Sequence, residues 1–373
     1  MHILHVVGAR PNFMKAAPVL AAFREYGVRQ TLVHTGQHYD AFMSDIFFQQ
    51  LEIPEPDFNL AVGAGTHATQ TAEIMVRFEP VVLDVHPDLV VVYGDVNSTA
   101  AAALVCAKLL IPVAHVEAGL RSGDRTTPEE VNRLVTDQLS DLLFTPSEDG
   151  DRNLLREGVE ATKIYRVGNV MIDTLIKLLP AARRVRRDDG VFDAPYALVT
   201  LHRPSNVDDP EMLRTLIHTL NDISRDITVV FPVHPRTRKR IADMGGAWQP
   251  SPSLRLVDPV GYVDFLALQM HAKVVVTDSG GIQEETTYLG VPCLTVRENT
   301  ERPVTVTIGS NLLIGRDTER LKKEVRRVLD GRAKQGHIPP LWDGLASRRI
   351  ADIAVAVHVD RTGQTLVPLS GIR

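Results

Sequence analysis

The sequence predicts an α/β protein made of two successive Rossmann-like lobes, each a parallel sheet covered by helices. Three observations carry this expectation. Short, unbroken Val/Leu/Ile runs alternate with helix-patterned stretches, each run ends in Gly, His or Asp, and the pattern restarts near the middle of the chain. Uninterrupted apolar runs suit strands buried on both faces, and their alternation with helices suits parallel crossover units.

The first series of strands is Ile3–Val7, Thr31–Val33, Leu89–Tyr93, Val113–Val116, Leu142–Phe144 and Ile164–Val167, with helices over Lys15–Glu25, Ser98–Leu110 and Pro128–Leu139. The second series is Ala197–Leu201, Ile227–Val233, Leu254–Val257, Val274–Thr277 and Cys293–Val296. Its helices are Glu211–Ile223, Val263–Met270, Ile282–Leu289 and Glu319–Leu329. The boundary falls near Gly168-Asn169, so lobes are expected over 1–168 and 169–346. A last helix is expected over 347–360, and residues 361–373, rich in Gly, Pro and Ser without a period, read as a flexible tail.

At 373 residues the chain is longer than one core usually supports, in keeping with two domains. Acidic residues outnumber basic ones by 46 to 41, a balance that argues against a general nucleic-acid binder. The run Arg183–Arg187 is followed at once by Asp188 and Asp189 and reads as a solvated helix end. Cys106 and Cys293 both sit in apolar surroundings, which points to buried thiols in a reducing compartment. The N-terminus enters a strand pattern directly and no apolar run reaches membrane length, so a cytoplasmic location without a membrane partner is expected.

Open α/β sheets bind ligands beyond the carboxyl ends of their strands, and the unusual polar residues concentrate there. Gly8-Ala9-Arg10-Pro11-Asn12-Phe13-Met14-Lys15 leads from a strand into a helix; its backbone N–H groups with Arg10 and Lys15 could hold an anion, or it is a tight turn with two solvated cations. Neither a GxGxxG loop nor a Walker lysine is present, so no nicotinamide or ATP phosphate signature exists. In the second lobe Ser279, Gly280 and Gly281 open a helix after Asp278 in a way that lets a diphosphate approach the backbone, and Glu285 one turn later could accept from a ribose hydroxyl.

Asp95, Glu117 and Glu129 lie at strand ends or on the loop that follows, and acidic groups gathered in a cleft suit general acid–base chemistry. Asp95 could instead be a helix N-cap and Glu129 a first-turn partner of the helix dipole; Glu117 has no comparable structural excuse. His202 and His234 close apolar strands, each beside Arg and Pro, which suits a phosphate or a developing negative charge. No Cys cluster or HExxH is present, so no metal site is expected.

Together these residues resemble the non-hydrolysing UDP-N-acetylglucosamine 2-epimerases. The matching segments are Gly8-Ala9-Arg10-Pro11 with Lys15, Gly36-Gln37-His38, Tyr93-Gly94-Asp95, His115-Val116-Glu117-Ala118-Gly119-Leu120-Arg121, Pro128-Glu129-Glu130-Val131-Asn132-Arg133, Pro232-Val233-His234, Asp278 through Glu285 and Thr300-Glu301-Arg302-Pro303. The resemblance implies a GT-B fold with its active site in the inter-lobe cleft, a last helix crossing back to the first lobe, and a homodimer. It implies catalytic roles for Asp95, Glu117, Glu129 and His202, and diphosphate or ribose contacts from Arg10, Ser279, Gly280, Gly281 and Glu285. Lys15, Arg203, Asn206, His234 and Arg302 match positions near the sugar or its phosphates, and Gln37 and His38 an allosteric loop. The implied reaction interconverts UDP-GlcNAc and UDP-ManNAc through elimination of UDP to 2-acetamidoglucal and re-addition, with no cofactor.

Three departures stand out: Ser205 replaces the acid of His-Arg-x-Glu-Asn, Tyr39-Asp40 follow Gln-His where many members carry Arg, and Ala68-Thr69-Gln70 lacks an Arg-Gln pair. The last two put activation by a second substrate molecule in doubt. At this level a hydrolysing relative that releases N-acetylmannosamine and UDP stays open, as does a retaining GT-B glycosyltransferase.

Overall fold

Leu89–Tyr93 (β4) and Val113–Val116 (β5) are buried along their whole length, so their runs of apolar residues fill a sheet covered on both faces. They lie in a seven-stranded parallel sheet with His2–Val7 (β1), Arg29–His34 (β2), Phe58–Asn59 (β3), Leu142–Thr145 (β6) and Ile164–Arg166 (β7). The order is β3-β2-β1-β4-β5-β6-β7, so the direction of winding reverses between β1 and β4. The computed structural model describes residues 1–37, 51–243 and 250–363; His38 and most of the expected tail lie outside them.

The pattern restarts as the sequence predicts. Tyr196–Thr200 (β8), Thr228–Pro232 (β9), Leu254–Val257 (β10), Val274–Thr277 (β11), Cys293–Thr295 (β12) and Asn311–Leu313 (β13) form a second parallel sheet, ordered β10-β9-β8-β11-β12-β13. Here the winding reverses between β8 and β11. One face of this sheet is packed by Leu213, Leu216, Ile217 and Leu220 of the Pro210–Ile223 helix together with Leu321 and Val325 of the Thr318–Leu329 helix. Two Rossmann-like α/β lobes are therefore present, the composition expected of the GT-B class.

The chain divides into two compact units, Met1–Thr174 with Pro340–Arg373, and Leu175–Pro339. The last helix, Ala346–Thr362, belongs to the first unit and packs on the Arg10–Arg24 helix. Its N-terminus is held by Asp173, whose carboxylate accepts from the amides of Ala346 at 3.2 Å and Ser347 at 2.7 Å. Helix starts elsewhere follow local rules: Pro128 opens Pro128–Leu139, and Asp209 accepts from Glu211 and Met212 to cap Pro210–Ile223.

Candidate active site

In the first unit the polar residues gather at the carboxyl ends of β1, β4 and β5, on either side of the reversal point. The loop after β1 differs from its expected role. Gly8 and Ala9 do not present open N–H groups, because both donate to the side-chain oxygen of Asn12 at 3.1 Å, and Asn12 in turn donates to the Tyr93 carbonyl at 2.8 Å. The amide side chain thus spends the loop's donors on joining β1 to β4. Arg10 opens the helix that follows, and Lys15, one turn further on, is buried in an ion pair with Glu117.

Glu117 stands in the left-handed region at φ 77°, between β5 and the left-handed Gly119 at φ 79°. A glutamate held there stores backbone strain that the surrounding packing must enforce, a habit of functional positions. The adjacent strand end is matched to it. Gly94 has φ 62°, and a Cβ on it would lie 2.6 Å from Lys15 Nζ and 3.3 Å from Glu117 Oε2. Only glycine leaves room for the Lys15–Glu117 pair beside the turn that carries Asp95.

Asp95 does not cap the next helix, whose N-cap is Val96 with no side-chain hydrogen bond. Its carboxylate pairs instead with Arg133, and its backbone carbonyl accepts from Asn132 at 2.9 Å. Both partners lie on the Pro128–Leu139 helix, where Glu129 occupies the first turn, exposed to solvent. Its neighbour Glu130 is instead built into the fold: it accepts from Ser122 and Gly123 amides at 2.9 and 2.8 Å and from Arg133 at 2.7 Å. Burial alone would push its pKa up, but these donors and the Arg133 charge bring it below the usual carboxylate range. The first unit therefore brings together Asp95, Glu117, Lys15 and Arg133, with Glu129 on the same helix as Arg133.

Gln37 is buried and tied into the fold: its side-chain oxygen accepts from the Ser98 amide at 3.0 Å and hydroxyl at 2.6 Å, while its carbonyl accepts from Gln70 at 3.2 Å. This shows what holds Gln37; His38 falls outside the described residues.

The second unit centres on Asp278, which the sequence places in the segment before the helix without giving it a role. Fully buried at the end of β11, its carboxylate accepts from the amides of His202 at 3.1 Å and Arg203 at 2.9 Å, from Asn206 Nδ2 at 3.0 Å, and meets His202 Nδ1 at 3.1 Å. Burial raises its pKa, but His202, Asn206 and the Arg203 amide outweigh it, and the carboxyl sits below its ordinary range. Because β8 and β11 are neighbours, the loop after β8 is fastened onto the end of β11. The His202 side chain stays 59% exposed, its other ring nitrogen turned away from Asp278. Arg203 and Asn206 serve the same fastening, through Arg203 Nε to the Asp278 carbonyl at 3.2 Å and Asn206 to the Val296 carbonyl at 3.1 Å.

Ser279 is the N-cap of the Gly280–Leu289 helix yet makes no capping hydrogen bond with its side chain. A Cβ on Gly280 would lie 2.5 Å from Arg302 Nη1, so the glycine admits the Arg302 guanidinium over the helix start. Arg302 is held there by Glu284 at 2.9 Å and Glu301 at 2.5 Å, and Glu301 also binds Arg297 at 2.7 Å. The helix N-terminus favours an anion, and the guanidinium, its charge shared with Glu284 and Glu301, lies beside it. Glu285, fully buried, accepts from Tyr262 at 2.8 Å and Gln269 at 2.6 Å, and burial pushes its pKa up to about 7. His234 caps the Pro235–Ala242 helix through Nδ1, which accepts from the Arg236 amide at 3.3 Å. Among the described residues no cluster of three His, Cys, Asp or Glu is arranged to hold a metal ion.

Comparison with known proteins places the chain in a family. Residues 21–355 match the family model described as UDP-N-acetylglucosamine 2-epimerase. The UDP-N-acetylglucosamine 2-epimerase of Methanocaldococcus jannaschii is 42% identical over 95% of this chain and 98% of its own. A UDP-2,3-diacetamido-2,3-dideoxy-D-glucuronate 2-epimerase of Pseudomonas aeruginosa is 43% identical over 94% of this chain and 99% of its own. The crystal structure of the M. jannaschii UDP-GlcNAc 2-epimerase in complex with UDP-GlcNAc and UDP superposes with a TM-score of 0.87, covering 95% of this chain and all of that one at 41% identity. On this agreement of sequence and fold, the chain belongs to the UDP-N-acetylglucosamine 2-epimerase family.

Proposed function

We propose that the protein interconverts UDP-GlcNAc and UDP-ManNAc by inverting C2, through elimination of UDP and its re-addition to 2-acetamidoglucal. The observation that carries the reading is the strand-end group of Asp95 and Glu117, each charge-compensated by a buried cation, Arg133 and Lys15. The C2 proton of a hexosamine has no adjacent carbonyl to acidify it. Expelling the anomeric diphosphate as that proton leaves supplies the driving force without an oxidised intermediate.

In the forward step a carboxylate of the Asp95, Glu117, Glu129 set takes the C2 proton, the C1–C2 double bond forms, and the C1–O bond breaks with its electrons on UDP. In the return step UDP re-adds at C1 while C2 is protonated from the opposite face. The leaving diphosphate needs a cationic, donor-rich cradle. His202, Arg302 and the start of the Gly280–Leu289 helix supply one, and the family motif adds Arg10. With Asp278 engaging Nδ1, His202 can present its other nitrogen to the departing oxygen. Glu285 would accept from the ribose.

The M. jannaschii relative and its complex with UDP-GlcNAc and UDP support UDP-GlcNAc as substrate. Incubation with UDP-GlcNAc in deuterium oxide tests the reading by NMR. UDP-ManNAc and deuterium at C2 of both epimers are expected; free N-acetylmannosamine as the main product, or no C2 label, refutes it. The diacetamido-glucuronate substrate of the P. aeruginosa relative is run in parallel as the competing substrate. A homodimer and a cytoplasmic location belong to the same proposal. Among the described residues no helix is long and apolar enough to cross a membrane, and light scattering of the purified protein should return twice the chain mass.

A further inference from the structure

Beneath the carboxylates lies a buried ionic network that the reaction scheme leaves unused. His115 sits on β5 two residues before Glu117, and its side chain, like that of Asp137, is fully buried. Its Nδ1 is 2.6 Å from Asp137 Oδ1 and its Nε2 is 2.8 Å from the Gly94 carbonyl. The second carboxylate oxygen, Oδ2, accepts from the Gly119 amide at 3.1 Å and from Arg121 at 2.7 Å.

These partners are placed tellingly. Gly94 immediately precedes Asp95. Gly119 follows Glu117 by two residues. Asp137 lies on the Pro128–Leu139 helix, which also carries Glu129 and the Asp95 partner Arg133. One ring and one carboxylate therefore join the three elements that bear the three carboxylates. They do so at backbone positions of positive φ, 62° at Gly94 and 79° at Gly119, flanking Glu117 at 77°. The glycines take this conformation freely, but the left-handed glutamate between them persists only where its surroundings over-determine it. A buried carboxylate with both oxygens partnered has the stiffness required, because loss of one partner leaves a polar group uncompensated in the interior. Burial raises the Asp137 pKa, but His115 and Arg121 bring it below the ordinary range, so its carboxylate form is the one the site is built for.

We infer that His115 and Asp137 are positioning residues that set the spacing of Asp95, Glu117 and Glu129 without touching the sugar. The inference rests on the proposed epimerase chemistry and adds a claim about how its return step is kept faithful. Misplaced carboxylates would protonate the glucal late, and the intermediate would escape.

The test uses the full-length protein as wild type, Asp137→Asn and His115→Gln. In deuterium oxide with UDP-GlcNAc, the number of C2 exchange events is compared with the amount of free 2-acetamidoglucal and UDP released. This ratio is a property of each turnover and does not depend on what fraction of the sample is folded. A leak per exchange event raised by at least about tenfold in the variants is expected, since small misplacements of catalytic groups have effects of this order. UDP affinity, measured by calorimetry, should stay within about twofold, because no part of its cradle is assigned to His115 or Asp137. An unchanged leak ratio in either variant that stays soluble, with kcat merely scaled to the folded fraction, overturns the inference. Absence of C2 exchange in the wild type would instead sink the epimerase reading beneath it.

Discussion

Glu285 offers a quantitative check that needs no substrate. Its carboxyl is fully buried, takes two donors from Tyr262 and Gln269, and has its pKa raised by burial from 4.5 to about 7. Between those values the native protein holds a proton that the unfolded chain has released, so stability falls as pH rises from about 4.5 through 7 and levels off above. At 1.36 kcal/mol per pKa unit the loss amounts to about 3 kcal/mol. Glu285→Gln removes the titration while keeping the shape, and an amide there can still pair with Tyr262 and Gln269. Hydrogen exchange of the Gly280–Leu289 helix reports the second unit by itself. From pH 5 to 8 the wild type should lose most of that, about 2.5 kcal/mol of protection, relative to the variant. The two should differ least at pH 5. Parallel pH profiles would show that Glu285 is ionised throughout and would refute the reasoning.

Other consequences follow from the same geometry. At pH 8, where Glu285 is ionised, replacing it by Ala should weaken UDP binding by about 1.5–3 kcal/mol, the worth of a hydrogen bond to a charged group, with kcat nearly unchanged; a collapsed kcat at normal KM would contradict the ribose assignment. Gly94→Ala must adopt φ 62° with its Cβ 2.6 Å from Lys15 Nζ, so a loss of about 1–3 kcal/mol in stability and a strong fall in turnover are expected, read by thermal melts and rate assays. Dialysis against EDTA should leave activity unchanged, and recovery that depends on an added divalent ion or NAD would contradict the scheme.

How much of this was legible beforehand depended on how local the signal was. The apolar runs of β4, β5 and β11 are unmistakable because both sheet faces are covered. Phe58–Asn59 and Asn311–Leu313 escaped because two- and three-residue edge strands carry no period. The His67–Val85 helix, with Pro80 inside it, and the polar Glu148–Arg156 helix escaped because proline and charge mask an apolar stripe. Asp95 and Glu117 could be named as strand-end carboxylates, but their counter-charges could not. Arg133 reads as an ordinary helix-surface arginine until the helix is docked beside β4. Asp278 looks like a turn residue until β8 and β11 become neighbours and bring His202 to it. The free amides expected at Gly8 and Ala9 were spent on Asn12, a side chain only three or four residues away.

The central claim is that Asp95, Glu117 and Glu129 perform the chemistry at C2, and stability and turnover measured on one set of variants test it most directly. Asp95→Asn, Glu117→Gln and Glu129→Gln are nearly isosteric, so calorimetric unfolding should still show folded protein with UDP affinity close to wild type. Each should lower kcat by about 10²- to 10⁴-fold, the usual contribution of general acid–base catalysis. If instead the melting temperatures fall while turnover per folded molecule stays near normal in all three, these carboxylates only support the fold and the proposed mechanism is wrong.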